Sequence, residues 1–334
     1  MSNSALIKSS IAKKYWMALT GLFLCLFLVG HLIGNLQLII KTGEEGRRAF
    51  NEYAYFMTHN PAIMVLSYLT YFSILFHAID GIALFIQNKK ARPVSYAYNK
   101  PSANSSLPSR YMALLGTIVL VFIATHMSNF WWKMKVSDEV PMHTYYSPSS
   151  QDTMYLTQKG EPVSVNRISK RGKVDGTNIV LLKTKYNSES DNSIDKDYQD
   201  QLNEKGLFNR YKTNPEFTSY IDSFKMIDKQ KAHINQDEII AEGYKDLHTV
   251  VMEFFSKNNK SDAGIPLGLL GMLLYVVSMA VLGFHLWHGF ASAFQSLGMN
   301  HPKYTPLIKV FGRGYAIVVP LLFAIIPILI YLNS

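Results

Sequence analysis

The chain has 334 residues, 48% of them hydrophobic, and a net charge of +9. Its single cysteine, Cys25, excludes an intrachain disulfide and covalent cofactor attachment through a C-x-x-C-H motif. The basic residues flank apolar runs instead of forming one block, so the positive balance points to a membrane surface and lipid, with no nucleic acid partner.

Five apolar runs, at 15–40, 62–87, 111–132, 265–297 and 314–332, are each long enough to span a bilayer, which takes about 20 helical residues. Lys8, Lys13 and Lys14 precede the first. Its apolar stretch is too long for a signal peptide and no small-residue cleavage site follows, so it reads as a retained helix. A polar loop and an amphipathic stretch at 48–57, containing Glu52, lead to Pro61, which suits the first turn of the second helix. That helix ends at Asn88, Lys89 and Lys90. The next link holds Pro93, Pro101 and Pro108 and is expected to be irregular. The third run closes on Trp131 and Trp132, an interfacial belt.

Residues 136–262 are polar. The segments 163–167 and 179–186, around Gly172 and Gly176, predict a small hairpin. Residues 187–203 are polar and acidic, which predicts a mobile stretch, and 244–255 has a helical period suited to the outer surface. A structureless loop of this length is unusual, so a small folded insertion is expected. The expected fold is an all-α integral-membrane bundle of five transmembrane helices with a soluble insertion between the third and fourth. Its domains are 1–135, 136–262 and 263–334.

Charge orients the bundle. Lys8, Lys13 and Lys14, then Lys89, Lys90, Arg92, Lys100 and Arg110, then Lys303, Lys309 and Arg313 mark three cytoplasmic regions by the positive-inside rule. The N-terminus is then cytoplasmic, and the C-terminus and 136–262 are extracytoplasmic. Lys41, Arg47 and Arg48 in the first outer link weaken the bias slightly.

His31, His77, His126 and His285 each stand inside a different apolar run. An imidazole in hydrocarbon is costly and marks a site with a partner. One such residue fits a helix-packing hydrogen bond; four on four spans suggest two bis-histidine metal sites, and the usual metal there is haem iron. Without cysteine attachment such a haem is b-type. His31 is 17 residues beyond Lys14 and His126 is 16 beyond Arg110, whereas His77 is 12 before Lys89 and His285 is 13 before Gly298. At about 1.5 Å per residue this pairs His31 with His126 near the outer side and His77 with His285 near the inner side. Gly34, Gly81 and Gly289 follow three of these histidines on the same helical face, where a missing side chain admits a flat ligand; small residues also serve plain helix packing. His288, three after His285, is the second candidate for the inner ligand. Asp80 lies in the second run without an assigned role. His143, His233, His248 and His301 lie outside the spans and read as surface residues.

The stretches 19–35 (LTGLFLCLFLVGHLIGN), 76–81 (FHAIDG), 124–127 (ATHM) and 284–298 (FHLWHGFASAFQSLG) resemble the di-haem cytochrome b anchor subunit of succinate:quinone oxidoreductases, the succinate dehydrogenases and fumarate reductases. The resemblance covers all five spans. It implies two haem b, axial ligands on the first four spans and none on the fifth, and the same pairing as the depth count. In the fourth span it selects the histidine four residues before a glycine, His285. It implies a membrane subunit, without catalytic residues of its own, in the bacterial inner membrane. That subunit passes electrons between quinone, menaquinone by the resemblance, and a flavoprotein subunit and an iron–sulfur subunit on the cytoplasmic side. A glutamate near the start of the second helix serves menaquinol chemistry in a related enzyme, which carries over to Glu52. Lys89, Lys90 and Arg92 are candidates to neutralise inner-haem propionates or to steer an acidic partner. The insertion, roughly 147–240, departs from the family. The rival readings are a proton or metal transporter or channel using the histidines and Asp80, and an anchor without redox work.

Overall fold

The computed structural model describes residues 9–91, 106–137, 140–181 and 238–334. The chain divides into two compact units, Met1–His143 with Tyr244–Ser334, and Thr144–Gly243.

The first unit is helical. α1 (Ser10–Ile40) starts where the Ser9 hydroxyl accepts from the Ile11 N–H at 3.3 Å. α2 (Gly43–His59) is short and amphipathic. α3 (Pro61–Lys90) opens on Asn60, whose side-chain oxygen accepts from the Ala62 and Ile63 N–H groups at 3.0 and 3.3 Å. Pro61 follows at a position that needs no donor. After α4 (Leu107–Arg110), α5 (Met112–His126) runs into a π-helical turn, Met127–Trp131, and then α6 (Trp132–Lys135). α7 (Leu247–Phe254), α8 (Leu267–Ser296) and α9 (Tyr304–Asn333) complete the unit. Five stretches, Ile11–Ile40, Pro61–Lys90, Met112–Lys135, Leu267–Ser296 and Tyr304–Asn333, are long and apolar enough to cross a membrane. α9 begins at Tyr304, ahead of the apolar run at 314, so Lys309 and Arg313 stand on the helix and not in a link. The Arg313 guanidinium lies over the Trp287 ring, 5.5 Å from its centre, which shelters that charge.

α8 and α9 pack most closely. A Cβ added at Gly283 would lie 3.0 Å from the Ala316 carbonyl oxygen. Pro320, which has no N–H, leaves that carbonyl without its helical donor, and Gly283 lets α8 approach it. Cys25, Met279, Leu282, Leu286 and Phe290 fill the space between α1, α8 and α9. Leu32, Phe50, Val251, Phe255 and Tyr275 form a second cluster that ties α2 and α7 to the spans. α5, by contrast, has no buried residue, because it stands between an exposed apolar surface and a cavity.

A buried polar network holds α2 and α7 together. Asn51 donates to Asp246 Oδ1 at 2.7 Å and to His143 Nδ1 at 3.0 Å, and its own oxygen accepts from the His248 N–H at 2.9 Å. Arg47 Nε donates to Asp246 Oδ2 at 2.9 Å, and His143 Nε2 pairs with Glu44 Oε1 at 2.6 Å. Asp246 also caps α7 through the Thr249 N–H at 3.1 Å. Burial pushes the Asp246 carboxyl up, but Arg47, Asn51 and Thr249 outweigh it and hold it at about 2. His143 is therefore not a surface residue: it is fully buried, because Asn51 and Glu44 satisfy both ring nitrogens. His248 is half-buried, His301 is exposed, and His233 lies outside the described residues. The same network draws 140–143 and 244–262 into the helical unit, so the boundaries expected at 136 and 262 move to 144 and 243. The segment 244–255 packs its Val251 and Phe255 into the core instead of lying along a surface.

Among its described residues the second unit carries short strands and one helix, whereas the spanning helices all lie in the first unit. β1 (Thr144–Ser147), β2 (Asp152–Tyr155) and β3 (Val163–Ser164) form one antiparallel sheet; β4 (Gly172–Asp175), β5 (Asn178–Leu181) and β6 (Glu238–Glu242) form another, joined by a helix at Val165–Arg171. The hairpin turns at Gly176, whose φ of +60° suits glycine. Its partner for β5 is Gly172–Asp175, not 163–167, because 163–164 pair with β2 and the next residues turn helical. The stretch 187–203 lies outside the described residues.

Candidate functional site

The helical unit holds a partly open cavity of about 1910 Å³, lined mainly by α1, α2, α3, α5 and α8, with residues of α4, α6, α7, α9 and the π-helical turn at its borders. That is roughly twice the upper end of the range for a single small-molecule pocket, about 1,000 Å³. His31, His77, His126 and His285 all line it.

The four rings stand as two pairs. Those of His31 and His126 are 5.7 Å apart between centres with planes at 89°, and those of His77 and His285 are 6.2 Å apart at 69°. A metal ion between two imidazoles lies about 2 Å from each nitrogen, and each nitrogen lies about 1 Å ahead of its ring centre, so centres about 6 Å apart suit one shared ion. The pair nearer α2, His31 with His126, is the upper one; the other is the lower. His288 lines the same cavity one turn further along α8, and the ring set against His77 is that of His285.

Neighbouring groups orient the rings. His77 Nδ1 donates to the Met17 carbonyl at 3.1 Å, which leaves Nε2 with a free lone pair. The Tyr275 hydroxyl lies 3.4 Å from His126 Nδ1, and the Asn35 amide nitrogen lies 3.4 Å from His31 Nδ1. His285 Nδ1 is buried without a hydrogen-bond partner among the described residues, an orphan that a ligand or water would satisfy.

Gly34, Gly81 and Gly289, expected beside the histidines, all line the cavity, as do Gly21 and Gly116. A Cβ at Gly34 would strike the Tyr53 hydroxyl at 2.7 Å, so Gly34 makes room for α2; one at Gly81 would meet nothing, and one at Gly289 would meet the Met112 methyl at 3.3 Å. The glycines that face the lower rings are Gly21, where an added Cβ would lie 3.0 Å from His77 Cε1, and Gly116, where one would lie 3.3 Å from His285 Cε1. Each lies ten residues before the upper histidine of its own helix, Gly21 before His31 and Gly116 before His126. That repeated spacing was present in the sequence as a signal. Ten residues of helix rise about 15 Å, which measures the depth between the two pairs.

Glu52 is paired with Arg48 at 2.7 Å, partly exposed, and does not line the cavity; its neighbour Tyr53 does. Asp80 is half-buried on α3. Among the described residues no three His, Cys, Asp or Glu side chains gather as a metal site. Two imidazoles alone do not complete the shell of a bare transition-metal ion, which takes four or more donors, so each pair suits an ion whose remaining ligands come from a bound organic group. The π-helical turn follows His126 directly and places Trp131, whose indole N–H donates to the Tyr71 hydroxyl at 2.6 Å, across the gap from α5 to α3. No family model, curated protein or solved structure matches the chain.

Proposed function

We propose that this chain is a di-haem b membrane anchor. In this reading it carries electrons between quinone, menaquinone by the resemblance, and a flavoprotein and an iron–sulfur subunit that oxidise succinate or reduce fumarate. The observation that carries the reading is the pair of two-histidine sites at about 15 Å of depth from each other in one cavity. The residues fit the group: His31 with His126 and His77 with His285, their ring centres about 6 Å apart, would each hold one iron, His285 Nδ1 is buried without a partner among the described residues, and Gly21 and Gly116 leave bare backbone beside the lower pair. When bound, haem would supply one-electron transfer, with two histidines holding each iron. The protein's part is orientation and insulation. Met17 holds the His77 tautomer, Tyr275 positions His126, and the apolar lining excludes water. On this reading the protein belongs in a bacterial inner membrane, with its N-terminus and partner subunits on the cytoplasmic side, and 136–262 and the C-terminus outside. A proton relay is less supported, because among the described residues the cavity lining contains no aspartate or glutamate.

Purification through a C-terminal tag tests this. Two further subunits should follow, one carrying flavin, and the reduced-minus-oxidised spectrum should show b-type haem that succinate reduces. A chain that purifies without haem sinks the reading; one with haem that succinate leaves oxidised in native membranes keeps two haems and loses the succinate assignment.

The glycine positions give a sharper test. Gly116→Leu puts a branched side chain where a single Cβ already lies 3.3 Å from the His285 ring. The lower haem should be lost almost entirely while the upper one remains. Unchanged content of both would remove Gly116 from the site.

A further inference from the structure

Histidines aside, only two of the described residues that line the cavity carry a formal charge, Arg110 and Lys135, and both are cations. They stand at opposite ends of the same span, Arg110 closing α4 and Lys135 closing α6. Arg110 is six residues before Gly116, which faces the His285 ring, and stands just beyond the start of α5, on the far side of the lower pair from His126. Lys135 is nine residues after His126, roughly 13 Å beyond the upper pair. Side chains on a helix lean toward its N-terminus, so Lys135 leans back toward His126.

Among the described residues neither cation forms an ion pair. The Lys135 ammonium donates to the neutral Thr58 carbonyl at 3.2 Å. Polar residues, among them Asn88, Ser109, Thr58 and Tyr71, share the lining with the two cations. A cation at the rim of a low-dielectric space attracts an anionic group more strongly than it does in water. A cavity with one cation at each end and no described acid between them is built for occupants that are anionic at both ends.

We propose that Arg110 binds the carboxylates of the lower haem and Lys135 those of the upper haem. The inference rests on the di-haem reading and deepens it. These two cations replace the basic residues expected to neutralise haem carboxylates. Lys89 and Lys90 end α3 without lining the cavity, and Arg92 lies outside the described residues.

Redox titration of the purified complex tests the assignment, with the two haems told apart by the His31→Ala variant. A positive charge beside a haem favours the added electron, so its loss lowers that haem's potential. Lys135→Gln should weaken reduction of the upper haem about tenfold, about 59 mV for one electron, and leave the lower one unmoved. Arg110→Gln should do the converse. Lys135→Arg and Arg110→Lys keep the charge and should keep both potentials. Loss of only the neighbouring haem in a glutamine variant, with retention in the charge-keeping variant, supports the same assignment. Both potentials unmoved with both haems bound overturns it, as does an equal shift of both. Absence of haem from the unsubstituted complex is a separate result that overturns the di-haem reading and this inference together.

Discussion

If the two histidine pairs hold haem as proposed, replacing His31 by alanine should remove one of two low-spin b-type signals and leave the other nearly intact. His31 shares its pair with His126 alone, at 5.7 Å between ring centres, and the lower pair lies about 15 Å away along the helices. His31→Ala would remove one of the two residues proposed to hold the upper haem. The lower haem keeps His77, still fixed by the Met17 carbonyl, and His285. His77→Ala should give the mirror result. His288→Ala should keep both haems, because the ring set against His77 is that of His285. Haem content by pyridine haemochromogen and the two potentials by titration read all three variants. Equal loss of both signals from a folded His31→Ala protein would contradict the pairing, and loss of the lower haem from His288→Ala would move its ligand to that residue.

Asp246→Ala is expected to cost about 3 kcal/mol of stability in the helical unit, in the range for breaking a buried ion pair. The carboxylate is 1% exposed and accepts from Arg47, Asn51 and Thr249 at once. Its removal takes the cap from α7, strands an amide donor of Asn51 and takes the acid from the Arg47 contact. Asp246→Asn keeps the shape without the charge and should lose less. The pH dependence has a definite sign. The folded carboxyl is held at about 2, below its ordinary value, so its contribution is complete above about pH 4 and disappears as pH falls towards 2. Thermal unfolding in detergent, followed by intrinsic fluorescence between pH 7 and pH 3, measures both effects. An Asp246→Ala midpoint equal to that of the unsubstituted protein would show that the network does not stabilise the fold.

The parts of this protein that follow from local chemistry were legible in the chain. Apolar runs of spanning length carry their own reason to be helices, since in hydrocarbon every backbone group must pair within its own segment. Four histidines inside those runs announce a buried site from residue type alone. Pairing by depth was also readable, because rise per residue is constant: the count set His31 with His126 and His77 with His285, and the structure sets those same rings side by side. The count gave a smaller separation than the roughly 15 Å that ten residues of helical rise imply, since it leaned on helix edges and α1 begins at Ser10, before the first apolar run.

Tertiary packing decided the rest. Which face of a helix meets which neighbour is not a local property, so Gly34 serves Tyr53 while Gly21 and Gly116, unremarked in the sequence, lie against the histidines. His143 sits in a polar stretch and reads as solvated, yet Asn51, 92 residues away, and Glu44, 99 away, make it a core residue. The turn at Gly176 was local and readable, but its strand partner depended on β2 claiming 163–164 first. Composition showed cations near every membrane edge; only the folded helices single out Arg110 and Lys135 as the two that reach the cavity, because helical register and the π-turn after His126 set which side chains point inward.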